Sequence, residues 1–334
     1  MREIVTFGEV LMRISPKGNK KFVQSNSVEF YFGGTEINVA ISIANFGGAV
    51  KHISCISDDF IGDTAISYLH KFNVNTTDVV RSPRPLGVYF LEVGAVMRSS
   101  KISYNRSHSS FSEIKPSMVN WNKALENGNW FHWTGITPAL NKGSKDTLLE
   151  GLKIAKAKGI TISVDPTYRS GLWKYGEQPK EVLFNLVQYA NIFIGGVNEI
   201  NELLGTDYSF SNDDFVKASK HLMLEFPSIE KVFDKIRTSI NASWHKIKAR
   251  MYNGSQFKET AELDITHIVD RIGTGDAFAA GIIHGLQVFD DFKAMEFGKA
   301  ACAIKHTYAG DVNYANEQEV LSILDGNTTG RFNR

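Results

Sequence analysis

Cysteine is scarce in this chain: its 334 residues include only Cys55 and Cys302. That excludes a disulfide scaffold and suits a reducing compartment, with both thiols read as small buried apolar residues. Charge of one sign is lacking as well. The formal net charge is +1, and no basic run is dense enough to track phosphates. Neither a nucleic acid nor a membrane surface is therefore expected as a partner. No stretch approaches the roughly 18 apolar residues of a membrane span. The opening Met1–Ile14 segment has no apolar signal core, so a cytoplasmic location is expected. The histidines show no H-E-x-x-H or similar spacing, so a metal held mainly by side chains is not expected. No Pro/Gly/Ser-rich linker divides the chain, and no repeat is apparent.

What the sequence does contain is an alternation of short apolar runs with amphipathic stretches. Strands are predicted over 3–8, 50–56, 130–134, 160–164 and 192–194. Helices are predicted over 35–44, 145–158, 275–286 and 292–308, with a helical pattern from Asn198 to about Phe226. Extended segments are predicted at 231–236 and 245–252. This rhythm implies a mostly parallel sheet flanked by helices. Two segments, about 10–31 and 86–106, carry polar-faced strand patterns that break it. They predict a small separate sheet, a lid inserted into one domain spanning 1–325, with a polar tail at 326–334.

The strongest local signal is Asp270-Arg271-Ile272-Gly273-Thr274-Gly275-Asp276-Ala277-Phe278. A glycine-bearing loop opens directly into a helix. Such a start offers unpaired N–H groups and the positive end of the helix dipole, an anion site. Asp276 falls in the first turn, where a carboxylate beside an anion hole can take a proton from a hydroxyl. The same pattern would also serve a plain helix start with a capping aspartate. It is not a Walker A loop, because no G-K-[ST] follows.

With Gly281 following, this segment resembles the C-terminal signature of the ribokinase-like (PfkB) carbohydrate kinases. Gly33-Gly34 with Asn38 resembles their N-terminal signature, and Asn198-Glu199 their N-E element. Within the family, three features resemble the 2-keto-3-deoxygluconate kinases: Tyr104-Asn105-Arg106, Tyr89 after Gly87, and Asp165-Pro166-Thr167-Tyr168-Arg169-Ser170-Gly171-Leu172-Trp173. Thr167 stands where that pattern usually has asparagine.

The resemblance implies a ribokinase-like α/β fold with a β-sheet lid. It also implies ATP-dependent phosphorylation of a sugar acid, with Mg2+ arriving on the nucleotide. Asp276 would be the base, and the N–H groups of Gly273, Thr274 and Gly275 would stabilise the moving phosphoryl group. Gly33, Gly34, Asn38, Tyr89, Tyr104 and Asp311 would line the substrate. A ketodeoxy acid carries a carboxylate that neutral sugars lack, and arginine recognises carboxylates through a planar fork. Arg106 and Arg169 are therefore expected there, although Arg169 also suits a nucleotide phosphate. Thr167 and Arg237, with Gly273 and Gly275, would face the nucleotide. Glu199 would orient a metal-bound water, and a monovalent cation, K+, would sit beside Asp270. Pairing of two lids in a homodimer is expected. The alternatives are a kinase for a neutral sugar such as fructose or ribose, and a catalytically silent sugar- or nucleotide-binding regulator.

Overall fold

Strands buried on both faces need apolar residues at successive positions. In the computed structural model, which describes residues 2–328 and 330, those runs form the middle of a large sheet. Its parallel strands lie in the order Lys231–Asn241, Ile192–Ile194, Thr161–Asp165, Gly128–Thr134, Glu3–Phe7 and Val50–Ile53. Trp244–Tyr252 continues the sheet antiparallel and carries Phe257–Glu259 and Leu263–Thr266.

Alternate side chains feed two cores. Ile4, Ile192 and Ile194 pack with Ile37, Ile41, Phe278 and Phe297 from the helices Thr35–Asn45, Thr274–Val288 and Asp291–Lys305. Val5, Phe131, Trp133 and Phe193 pack on the other face with Leu148, Leu152 and Phe215 from Lys142–Ala157 and Asn212–Glu225. Each fully buried large apolar side chain contributes about 1.5–3 kcal/mol. The Thr274–Val288 and Asp291–Lys305 helices touch backbone to backbone. A β-carbon on Gly281 would stand 2.6 Å from the Cα of Gly298, so these small residues set the spacing.

A second sheet runs Glu29–Gly33, Leu11–Ser15, Gly87–Glu92 and Lys101–Asn105. Its register places Tyr31, Arg13, Tyr89 and Tyr104 side by side in one row. Phe30, Ile14 and Phe90 form a neighbouring row on the opposite face.

The ribokinase-like architecture matches the sequence expectation, and some boundaries do not. The helical pattern expected from Asn198 to Phe226 is two helices, Val197–Leu204 and Asn212–Glu225. Gly205, at φ 75°, ends the first in the left-handed conformation that glycine adopts without penalty. The helix expected over 292–308 stops at Lys305. The strand expected over 50–56 is two, Val50–Ile53 and Cys55–Ser57, the latter pairing with Val80–Ser82. Residues 329 and 331–334 of the expected tail lie outside the described residues.

Candidate active site

Parallel sheets gather ligands at the carboxyl ends of their strands. Here those ends deliver Glu9 after Glu3–Phe7, Thr134 from Gly128–Thr134 and Asp165 from Thr161–Asp165. The Thr274–Val288 helix starts against them. Gly273, at φ 78°, precedes it, and a β-carbon there would collide with the Asp311 carbonyl. Only glycine fits this turn. The first intrahelical bond runs from Ala277 N–H to Gly273 O at 2.9 Å. Thr274 N–H turns back toward Arg271 O at 3.4 Å, whereas the N–H groups of Gly273, Gly275 and Asp276 have no acceptor among the described residues. Of the three N–H groups expected to hold an anion, Thr274's is directed at Arg271 O, while those of Gly273 and Gly275, and also that of Asp276, have no acceptor among the described residues.

Asp276 Oδ2 accepts from Asn38 Nδ2 at 2.7 Å. Asn38 is 3% exposed, and its Oδ1 has no partner. Burial pushes the Asp276 carboxyl up to about 7. The Asn38 bond opposes that rise, and the negative charges of Asp165 and Glu36 add to it. Glu36 itself lies buried beneath the site, its Oε1 accepting from the hydroxyls of Thr134 and Thr137 at 2.8 and 2.7 Å. The site thus holds a half-buried carboxylate with no cation paired to it, beside free N–H donors.

Asp270 is set up differently. Its Oδ1 accepts from Ile272 N–H at 3.0 Å and its Oδ2 from Gly310 N–H at 3.2 Å. Arg13, 2% exposed, places Nη1 at 2.6 Å from Asp270 Oδ2 and 3.0 Å from Asp311 Oδ1. Asp311 Oδ2 accepts from the Tyr89 hydroxyl. The Arg13 guanidinium also lies over the Tyr31 ring, 5.1 Å from its centroid. A β-carbon on Gly33 would collide with the Asp311 side chain, and one on Gly34, at φ 145°, with the Glu9 carbonyl. The double glycine is what lets the small sheet close onto this cluster.

Beside the small sheet, Arg106 donates from Nε to Glu9 Oε2 at 2.7 Å, and its Nη2 reaches the same oxygen. Its guanidinium also lies 5.6 Å from the ring centroid of Tyr104, which is 53% exposed and packs against Tyr89. Arg106 therefore holds an acidic partner of its own, whereas Arg169 is exposed and forms no salt bridge among the described residues.

Positive charge collects on the far side. Arg237 is held below its usual range by desolvation and by repulsion from Arg271 and Arg169. Lys235 Nζ lies 3.7 Å from where a β-carbon on Gly275 would stand. Arg271 Nη2 donates to Ser100 Oγ at 3.0 Å, tying the loop of the small sheet to the glycine loop. Asp165 Oδ1 accepts from Thr167 N–H at 3.0 Å and from the Thr167 hydroxyl. Burial and the nearby Glu199 charge push the Asp165 carboxyl up, while Lys235 opposes them. Glu199 Oε2 accepts from Gly196 N–H at 2.9 Å, closing the first turn of its helix. Among the described residues no group of three or more His, Cys, Asp or Glu side chains could hold a metal ion.

Residues 1–232 match the family model described as "pfkB family carbohydrate kinase". The chain belongs to the pfkB family of carbohydrate kinases. It is similar to the 2-dehydro-3-deoxygalactonokinase of Haloferax volcanii, 26% identical with 98% of each chain covered. It is also similar to the 2-dehydro-3-deoxygluconokinase of Bacillus subtilis, 25% identical over 96% of this chain and 94% of the relative. Among solved structures, the 2-dehydro-3-deoxygluconokinase of Thermotoga maritima superposes with a TM-score of 0.92 at 34% identity. That match covers 98% of this chain and 100% of the other.

Sequence reasoning did not single out Glu9, Arg13, Glu36, Lys235 or Lys305 of this kinase. For Arg13 a signal existed. In Leu11–Ser15 the inward positions are Leu11, Arg13 and Ser15, and an arginine on the buried side of an alternating strand requires an acid opposite. A cavity of about 740 Å³ opens elsewhere, lined by Arg2, Glu126, Asn129, Lys158 and Gln287 among others. It carries none of the motif residues.

Proposed function

We propose that this kinase transfers the γ-phosphoryl group of ATP to the terminal hydroxyl of 2-keto-3-deoxygluconate (2-dehydro-3-deoxygluconate), giving 2-keto-3-deoxy-6-phosphogluconate. One observation carries the transfer step: Asp276 is a half-buried carboxylate without a paired cation at a helix start whose N–H groups are free. Asp276 takes the hydroxyl proton, and Asn38 orients it while offering its unpartnered Oδ1 to a second substrate hydroxyl. The N–H groups of Gly273, Gly275 and Asp276, with Lys235, stabilise charge on the moving group. Arg237 and Arg271 flank the place left for the triphosphate. Mg2+ carried on the phosphates would supply charge neutralisation, and Asp165 and Glu199 suit its water ligands. We read residues 1–325 as one catalytic unit and the small sheet as its lid, whose closure excludes water. Phe30 and Phe90, 60% and 37% exposed on the face opposite the tyrosine row, suit pairing of two lids in a dimer. The kinase is read as a cytoplasmic enzyme.

The acidic substrate rests on similarity to enzymes named for such acids and on Arg169, which has no acid to neutralise it. The Glu9–Arg106 pair supports a second reading, in which that pair binds hydroxyls of a neutral sugar. The test is a steady-state comparison, at fixed MgATP, of 2-keto-3-deoxygluconate, its galactonate counterpart, fructose and ribose. A charge-assisted bond to the carboxylate is expected to raise kcat/KM for the acids about ten- to a hundred-fold over the neutral sugars. Equal turnover of fructose or ribose would sink the acidic-sugar reading, and no turnover of any of them would favour the silent regulator.

A further inference from the structure

Lys305 has no part in the phosphoryl transfer described above, yet it is completely buried. A lysine is kept in the interior only where something compensates its desolvation. Nζ donates to Tyr308 O at 3.2 Å, and no salt bridge joins it among the described residues. Its stem runs under the glycine loop, with Cε 3.4 Å from where a β-carbon on Gly273 would stand. Desolvation pulls the Lys305 ammonium below its usual range, and the charges of Asp270 and Asp311, 3% and 2% exposed, oppose that fall.

The resemblance implied a monovalent cation beside Asp270, and the residues present do not fit one. Such an ion needs a shell of oxygens directed at it. Asp270 already gives Oδ1 to Ile272 N–H, and Oδ2 to Gly310 N–H and Arg13. Asp311 gives its oxygens to Arg13 and Tyr89. The Tyr308 carbonyl accepts from the lysine. Charge closes without an ion: the two carboxylates of Asp270 and Asp311 are matched by the guanidinium of Arg13 and the ammonium of Lys305. A further positive charge would leave this buried group in excess.

We propose that Lys305 supplies, from within the chain, the positive charge that an exchangeable monovalent cation would bring beneath the 273–276 loop, so that the kinase runs without K+. The ammonium steadies the loop from below and adds to the field that its N–H groups direct at the phosphoryl group. Lys305 is thus a positioning residue. The proposal rests on the kinase reading, and one arm of its test does not.

The experiment replaces K+ by Na+ or choline at constant ionic strength, because screening alone would alter rates. The wild-type rate is expected to stay within about twofold, and its Tm, which a bound ion would raise, to show no shift specific to K+. The Tm arm needs no turnover, so it holds even if the substrate assignment fails. Lys305→Met is expected to lose about a hundred-fold in kcat in choline and to regain at least tenfold with K+ or ammonium ion. A wild-type enzyme activated tenfold or more by K+, or stabilised by it alone, overturns the proposal. So does a Lys305→Met enzyme as active as wild type in choline, or one that is folded and impaired yet insensitive to small cations. If that variant does not fold, Lys305→Gln and the wild-type titrations decide.

Discussion

Asp270 and Asp276 stand at the two ends of one short loop and live in opposite electrostatic surroundings. Asp270 is bonded at both oxygens, paired with Arg13, and shares that arginine with Asp311. Asp276 has one neutral donor, Asn38, and its carboxylate neighbours Asp165 and Glu36 repel it. Identical side chains are thus given different work by what surrounds them. The paired carboxylate holds the loop in shape. The unpaired one keeps a proton affinity high enough to act as a base near neutral pH.

The largest effect on stability should come from breaking the paired end. Arg13→Leu leaves Asp270 and Asp311 buried without their guanidinium. Loss of one partner from a buried ion pair typically costs about 3–5 kcal/mol. Denaturant unfolding should show a loss of that order; a change within measurement error would mean the pair is not what holds the small sheet to the loop.

The unpaired end should respond to pH. Asp276 acts as a base only when ionised, so kcat/KM should fall about tenfold per unit below a midpoint near 7. Above it the profile should level off. A profile flat from pH 5 to 8 would remove the unpaired carboxylate from the rate.

The smallest effect is on stability again, with its sign reversed. The folded pKa of Asp276 is raised, so the folded protein holds that proton more tightly than the unfolded chain. The two states are equal below about pH 4, and the cost of the buried charge grows up to about pH 7 and stays above it. Asp276→Asn removes that cost and keeps an oxygen for Asn38. At pH 8 it should raise stability by about 1–4 kcal/mol and increase Tm. A lower Tm would show that the ionised carboxylate is compensated after all.

The contrast also explains what was legible in the sequence. The glycine loop and Asp276 could be read because their constraints are local: a helix start, a positive φ and a first-turn acid lie side by side in the chain. The two layers of the fold were legible from strand–helix rhythm. Arg13 and Asp311 were another matter, since 298 residues separate them and only the closed small sheet brings them together. Lys235 and Lys305 sit in unremarkable strand and helix patterns, and their roles appear once the chain passes them beside Gly275 and Gly273. Arg106 was legible from the strand pattern around it, but Glu9, its partner, lies 97 residues away in sequence.

The central claim is that Asp276 takes the proton while the 273–276 loop holds the phosphoryl group. The most direct test is the rate of ATP-dependent phosphorylation of 2-keto-3-deoxygluconate by wild type and by Asp276→Asn, with folding of both verified by Tm. The account predicts a loss in kcat of about a thousand-fold in a variant that is folded and at least as stable, within the range for a positioned general base. A folded Asp276→Asn enzyme within about tenfold of wild type would contradict it, because a base that matters supplies at least a hundred-fold.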